Sequence, residues 1–400
     1  MKLTKVSLAA LVALGAFSSV ASATPLEEAI KNVDMTGFAR YRYDNIQTKD
    51  KDGYKATDAR HKFRITTDFK AAFDDNFFGV LGLRYNSEDQ SGNEFDKTDA
   101  DGKFGVYQLY LGYKVGNTTI TAGKQVLGTF FTDDEVGTGI KIVNQDITGL
   151  TLAALAVDAL DYDTYEADGG LLEKAKDNGY KPGNLYGVAA IGSYDPVAFQ
   201  LWYASLEKVT DLLAVELSGN FAVNDDVSFG AKAQFVNSNA DSKAKKVIDD
   251  YNDGNFYAAE LSTSLFGADL SAGYVGWKVK DKGRTSFSLE DQGELIEVGE
   301  QNYYDYTAMQ GKGNFWFVTA GYTFDKFFVG ADYKNGIRKF ADASSVKEKH
   351  QEYVARLGYE YSKKLVFSTF YSAVKTKNTE GEKGDTTKSN QYRFEAKYSF

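Results

Sequence analysis

Gln391-Tyr392-Arg393-Phe394-Glu395-Ala396-Lys397-Tyr398-Ser399-Phe400, the last ten residues, decide the fold. Read with period two, one face carries Tyr392, Phe394, Ala396, Tyr398 and Phe400, and the other Gln391, Arg393, Glu395, Lys397 and Ser399. Successive side chains of a strand point to opposite faces, so this strand is oily on one side and charged on the other. Left exposed on a soluble domain, such an aromatic strand would be an adhesive edge. In the wall of a membrane barrel it puts aromatics toward lipid and polar groups toward a wet lumen.

The same alternation recurs upstream. Ala39, Tyr41 and Tyr43 oppose Arg40 and Arg42; Phe63, Ile65, Thr67 and Phe69 oppose Lys62, Arg64, Thr66 and Asp68. Val227, Phe229, Ala231, Ala233 and Phe235 oppose Ser228, Gly230, Lys232 and Gln234. The pattern predicts strands over 33–45, 60–72, 77–88, 103–115, 117–125, 138–145, 149–159, 184–194, 196–207, 210–222, 226–237, 254–267, 269–279, 313–324, 326–336, 350–362, 364–376 and 387–400. That is an all-β, antiparallel transmembrane β-barrel of 18 strands, with 16 as the alternative count. Short turns such as Asp74-Asp75-Asn76 and Gly116-Asn117 alternate with long polar connections at 46–59, 89–102, 126–137, 160–183, 238–253, 280–312, 337–349 and 377–386. This is the arrangement of short periplasmic turns and long extracellular loops.

The N-terminus supplies an export route. Lys2 and Lys5 precede an apolar run from Leu8 to Phe17, and Ala21-Ser22-Ala23 fits the small-residue cleavage rule. Residues 1–23 read as a cleaved signal peptide for Sec export and 24–400 as one barrel domain; Pro25 to Asn32 could form a helical turn. No other run approaches the ~20 apolar residues of a spanning helix. Cysteine is absent, which removes disulfides and thiol chemistry. Closed ladders of backbone hydrogen bonds must therefore supply the stability, because an open backbone group in lipid costs several kcal/mol. The formal charge is −10, and loss of Lys2 and Lys5 makes it more negative still, which argues against nucleic acid as a partner.

Strand number sets the width. Roughly 8 strands leave an interior filled by side chains, whereas ~16–18 leave an aqueous channel. The charged inward parity of Arg40, Arg42, Lys62, Arg64, Arg84 and Arg393 fits a water-filled lumen, since buried charges would need partners. These residues fall on the first three strands and the last, which become neighbours when the barrel closes. The connection after the fifth strand carries Thr132-Asp133-Asp134-Glu135. Folded inward, it would set Asp133, Asp134 and Glu135 against Arg40, Arg42, Lys62, Arg64 and Arg84 in a pore constriction with a transverse field. The plainer reading makes the three acids ordinary solvated loop residues.

Other chemistry finds little support. The only histidines, His61 and His350, stand in separate segments, and neither a zinc site nor a Ser/His triad is spaced for. Both are expected near strand ends, His61 at lipid-facing parity. Asp99-Ala100-Asp101-Gly102 has the core of a calcium loop, but Lys97 and Gln108 break the EF-hand series. Gly-rich phosphate loops are absent. Tyr85, Tyr113, Trp202, Tyr322, Phe324, Tyr359 and Tyr361 read as interfacial girdles, with a sugar-stacking track as the alternative.

Thr24-Pro25-Leu26-Glu27-Glu28-Ala29-Ile30, Arg40-Tyr41-Arg42-Tyr43-Asp44, Val136-Gly137-Thr138-Gly139, Gly183-Asn184-Leu185-Tyr186-Gly187 and Leu289-Glu290-Asp291-Gln292-Gly293 carry a resemblance along nearly the whole chain. On them the chain resembles the major outer membrane protein family of Campylobacter and its relatives, which are trimeric porins. The resemblance implies a homotrimer in a Gram-negative outer membrane and passive, cation-preferring diffusion of ions and small solutes. It also implies a calcium ion held by an Asp of Thr132-Asp133-Asp134, by Asp168 and by Glu290. The chain departs from the family pattern just before Val136, where it is several residues shorter. Expected partners are outer-membrane lipid, further copies of the chain, and the outer-membrane assembly machinery, with Phe400 as its signal. No enzyme activity is expected; the alternative function is an adhesin or structural anchor acting through surface loops.

Overall fold

The computed structural model describes residues 33–91, 102–160, 171, 179–224, 226–297, 299–301, 305–340, 347–380 and 385–400. The signal peptide 1–23, the turn at 25–32, Asp99 and Asp101 of the calcium-like stretch, and Asp168 lie outside the described residues.

Eighteen strands form one antiparallel sheet. They are β1 Asp34–Lys49, β2 Lys55–Ala72, β3 Phe77–Ser91, β4 Lys103–Val115, β5 Thr118–Val126, β6 Val136–Asn144, β7 Leu150–Leu160, β8 Leu185–Tyr194 and β9 Val197–Leu206. They continue as β10 Thr210–Asn224, β11 Val227–Ala240, β12 Gly254–Leu265, β13 Ala268–Val279, β16 Lys312–Phe324, β17 Phe327–Lys339, β18 Lys347–Glu360, β19 Leu365–Glu380 and β20 Thr386–Ser399. A two-residue ladder, β14 Arg284–Thr285 against β15 Met309–Gln310, stands apart inside the long connection after β13. Among the described residues no helix is long and apolar enough to cross a membrane.

Closure is the decisive feature. β1 pairs with β2 on one side and with β20 on the other, in a register running from Phe38 opposite Ser399 to Lys49 opposite Lys388. At the seam Phe400 N–H donates to Gly37 O (3.0 Å) and Gly37 N–H to Phe400 O (3.1 Å), so the last residue completes the ladder. A closed sheet has no edge to satisfy in lipid. The outward face is apolar and uncovered: Phe229, Leu261, Trp316, Tyr353, Tyr392 and Tyr398 are all exposed large hydrophobics.

Several strands run further than the alternation indicates. β1 and β2 leave only residues 50–54 between them, where 46–59 is expected as a loop, and β19 reaches Glu380. These ends carry polar residues on both faces. Beyond the lipid band neither face needs to be apolar, so pairing continues where the period-two signal has stopped.

The interior is two-sided. Many inward residues of β8–β13 and β16 are apolar and fully covered: Leu185, Leu212, Val236, Phe256, Trp277 and Phe315 are each at most 1% exposed. They meet Leu127, Phe130 and Phe131 from the β5–β6 connection, and Phe287, Leu289 and Leu295 from the connection after β13. Trp202 belongs to this core and is buried, so it is no girdle residue. The opposite wall, β1–β3 with β20, carries the charged inward residues.

Candidate functional site

The site begins with a basic patch that register creates. Arg40 stands opposite Arg64, and Arg42 opposite Lys62, across the β1–β2 ladder. Like charges directly opposite destabilise a strand pair, so counter-charges must be supplied. β20 provides Glu395, whose Oε2 lies 2.8 Å from Arg42 and 4.0 Å from Arg40. β3 provides Glu88, 3.5 Å from Lys62. Further up the seam Asp44 accepts from Arg393 at 2.5 Å.

The counter-charge for Arg64 and Arg84 comes from a loop. Asp134 takes both guanidinium groups on one oxygen, pairing with Arg64 and, at 3.0 Å, with Arg84. The β5–β6 connection thus folds inward and touches the basic wall. Of the eight residues expected at the constriction, Arg64, Arg84 and Asp134 are in direct contact. Arg40, Arg42 and Lys62 are balanced by wall carboxylates, Asp133 is exposed, and the Glu135 side chain is buried.

What holds this short loop in place is Glu290. Its Oε2 accepts the backbone N–H groups of Asp133 (2.7 Å), Asp134 (3.1 Å) and Glu135 (3.0 Å). Three successive amides converging on one oxygen form an anion nest. Neighbouring backbone bonds fasten the two connections together, from Leu289 N–H to Phe131 O (2.8 Å) and from Glu294 N–H to Phe130 O (2.9 Å). Gly293 sits between them with φ +56°, and a Cβ there would run into the Phe130 carbonyl. That requirement explains the glycine closing Leu289-Glu290-Asp291-Gln292-Gly293.

Both carboxylates lie on loops, outside the spanning strands, and their protonation differs. Burial works against the charged form of Asp134, but the Arg64 and Arg84 guanidiniums outweigh it and hold the group below the usual carboxylate range. Burial, followed by the charge of Asp134, pushes Glu290 up to about 8. Burial and the Asp134 charge thus favour the protonated form of Glu290, against the amides on its Oε2, which favour the charged form.

A second clamp anchors the far end of the long connection. Glu352 of β18 is buried, pairs with buried Lys334 of β17 at 2.7 Å, and accepts N–H of Glu300 (2.9 Å) and Gln301 (3.0 Å) as well as Ser372 Oγ–H (2.7 Å). Between the clamps, Gln234 of β11 serves the loop with both ends of its amide, donating to Glu294 O (2.8 Å) and accepting from Ile296 N–H (2.8 Å). Sequence parity places Gln234 inward but cannot show that the group it meets is a folded loop; Glu352 and Lys334 carry no motif at all.

Two of the acids named for calcium already have protein partners. Glu290 Oε2 is filled by three donors, and Asp134 is bound by two guanidiniums. Among the described residues no group of three or more His, Asp or Glu is placed to hold a metal ion. The histidines share no site either. His61 lies well inside β2, bonded to Tyr41 OH (2.9 Å) on the outward face, while His350 is buried within the barrel beside Thr376 (3.1 Å).

Comparison with known proteins places the chain. The family model described as Campylobacter major outer membrane protein matches residues 1–400. The chain belongs to that family. Its location is accordingly the outer membrane of a Gram-negative cell. No curated protein sequence matches the chain. Solved structures that share the barrel include Acinetobacter baumannii OccAB3, with a TM-score of 0.69 and 13% identity over 92% of this chain and 99% of that one. Pseudomonas aeruginosa OprD has a TM-score of 0.69 and 15% identity, covering 96% of this chain and 98% of its own. The outer membrane protein opdK of the same organism has 0.69 and 14%, covering 92% and 98%. At such identities the likeness is one of fold.

Proposed function

We propose that this protein is a general diffusion porin, a water-filled and cation-preferring channel for ions and small hydrophilic solutes. One observation carries the reading: inward charges such as Arg42, Lys62, Glu88 and Glu395 stay partly exposed inside an eighteen-stranded closed wall, while a pinned loop brings Asp134 to Arg64 and Arg84 and leaves Asp133 exposed beside it. A wet lumen solvates those charges, and fixed acids at a narrowing favour cations. No covalent chemistry is required. Family membership and the barrel fold support the same reading.

Planar bilayers under a salt gradient test it. The protein should pass current with a reversal potential on the cation-selective side, and the Asp133→Asn/Asp134→Asn double variant should move that potential toward zero. A sealed bilayer would remove the porin; an unchanged potential would remove the acidic loop as the selectivity element. A homotrimer, cleavage after Ala23 and recognition of Phe400 by the assembly machinery belong to the same proposal, checked by cross-linking, N-terminal sequencing and Phe400 deletion. A calcium ion on Asp133 or Asp134 with Asp168 and Glu290 belongs to it too, checked by calorimetry with calcium on the wild type and Glu290→Gln, where absence of heat in the wild type disposes of the site.

A further inference from the structure

A cavity of about 390 Å³ opens on the side of the short turns, beneath the root of the β5–β6 connection. Its size falls within the roughly 300–1,000 Å³ of small-molecule sites. One part of its lining is apolar, with Phe78, Val126, Leu127, Leu155 and Trp202. Into that part projects Lys141 of β6, whose Nζ donates to Val126 O (3.0 Å) and Leu127 O (3.3 Å). Among the described residues no carboxylate pairs with Lys141.

The surroundings reinforce the sign. Lys70 and Lys114 line the same cavity, Lys70 lying 4.6 Å above the Phe78 ring. The acids nearby are occupied or at the mouth: Asp68 accepts from Tyr107 OH (2.5 Å) and Gln108 (2.9 Å), and Asp74 and Asp75 sit on the rim turn, where Asp74 accepts the amides of Asn76 and Phe77. A charge taken from water needs a partner, and the two carbonyl contacts leave the third ammonium proton for another acceptor.

We infer that this cavity is a binding subsite for small amphipathic carboxylates, with the carboxylate on Lys141 and the apolar body against Trp202 and Leu155. The geometry rejects two simpler classes. A compact inorganic anion leaves the apolar lining wet, and a neutral aromatic leaves Lys141 without a counter-charge. The site lies past the acidic loop, so it extends the diffusion reading: an anionic solute would pause here rather than at the constriction.

Benzoate is the probe. Isothermal titration of the full-length protein in detergent with benzoate, benzamide and inorganic phosphate reads binding rather than current, so it stands or falls independently of conductance. Benzoate should bind, benzamide and phosphate should each bind on the order of tenfold more weakly, and Lys141→Met should lower benzoate affinity by a similar factor, the scale of one lost charge-assisted contact. Lys141→Gln keeps a donor for the loop carbonyls and guards against a folding defect; it should lose benzoate binding while retaining the wild-type melting temperature. No benzoate binding by the wild type, equal binding of benzamide, or undiminished binding by both variants would overturn the assignment.

Discussion

The two sides of the barrel interior solve opposite problems. From β8 to β13 and on β16 the inner face is built like the core of a soluble protein, with Trp277 stacked on Phe315 at 5.5 Å and Phe256 against Phe287 at 5.8 Å. On β1–β3 and β20 the inner face is a field of ion pairs that keeps contact with water. The difference shows where the lumen runs. An apolar inner wall cannot border a water column at acceptable cost, so loops cover it; a charged wall cannot be covered without losing hydration, so it stays open. The channel is thus displaced toward the charged side, and the loops that fill the other half also present Asp134 to the basic wall.

Substitutions in the two halves should differ in their effects. Phe131 is fully buried where the β5–β6 connection enters the core. Phe131→Ala should cost about 3–5 kcal/mol of loop seating, read as a lower melting temperature and a larger, noisier single-channel conductance. If conductance is unmoved, the loop does not depend on the apolar half. Glu352→Gln keeps acceptors for Glu300 and Gln301 but leaves buried Lys334 without its opposite charge. A loss of about 1.5–3 kcal/mol is expected, with faster hydrogen exchange at residues 299–301; unchanged exchange there would show that the clamp is ornamental to the fold.

The smallest effect concerns pH. Glu290 has its folded pKa raised to about 8, against about 4.3 for an unperturbed glutamate. The closed loop binds that proton more tightly than an open one, so its contribution to closure is full below the lower value, falls as pH rises and is gone above about 8. Open-channel noise should therefore grow as pH is raised through the upper value and fall back on return. Glu290→Gln mimics the protonated form and should be quiet throughout. The same rise in the variant would locate the titrating group elsewhere.

Much of this was legible in the chain. Alternation at Gln391–Phe400 and its repeats placed all eighteen wall strands, because lipid on one face and water on the other impose period two. It understated strand ends such as Lys49 and Glu380, where that constraint lapses. The basic wall was readable from Arg40, Arg42, Lys62, Arg64 and Arg84, since parity and barrel closure together fix their side. The filled half was not. Inward Phe256, Trp277 and Phe315 look like any strand aromatics until a loop covers them, and Trp202, read as a girdle residue, lies in the core. Glu290 stood out through the family resemblance as a calcium ligand; that its Oε2 accepts three loop amides could not be read from the chain. Only the folded path of two distant connections brings those groups together.

Because the chain lacks cysteine, the course of the water column can be mapped directly. Lys62→Cys stands on the charged wall and Ser238→Cys within the filled half, where Ser238 is fully buried. A charged methanethiosulfonate reagent added to reconstituted channels should change the current through Lys62→Cys within seconds to minutes and leave Ser238→Cys untouched. Rapid modification at Ser238→Cys with none at Lys62→Cys would contradict a lumen running along β1–β3 and β20.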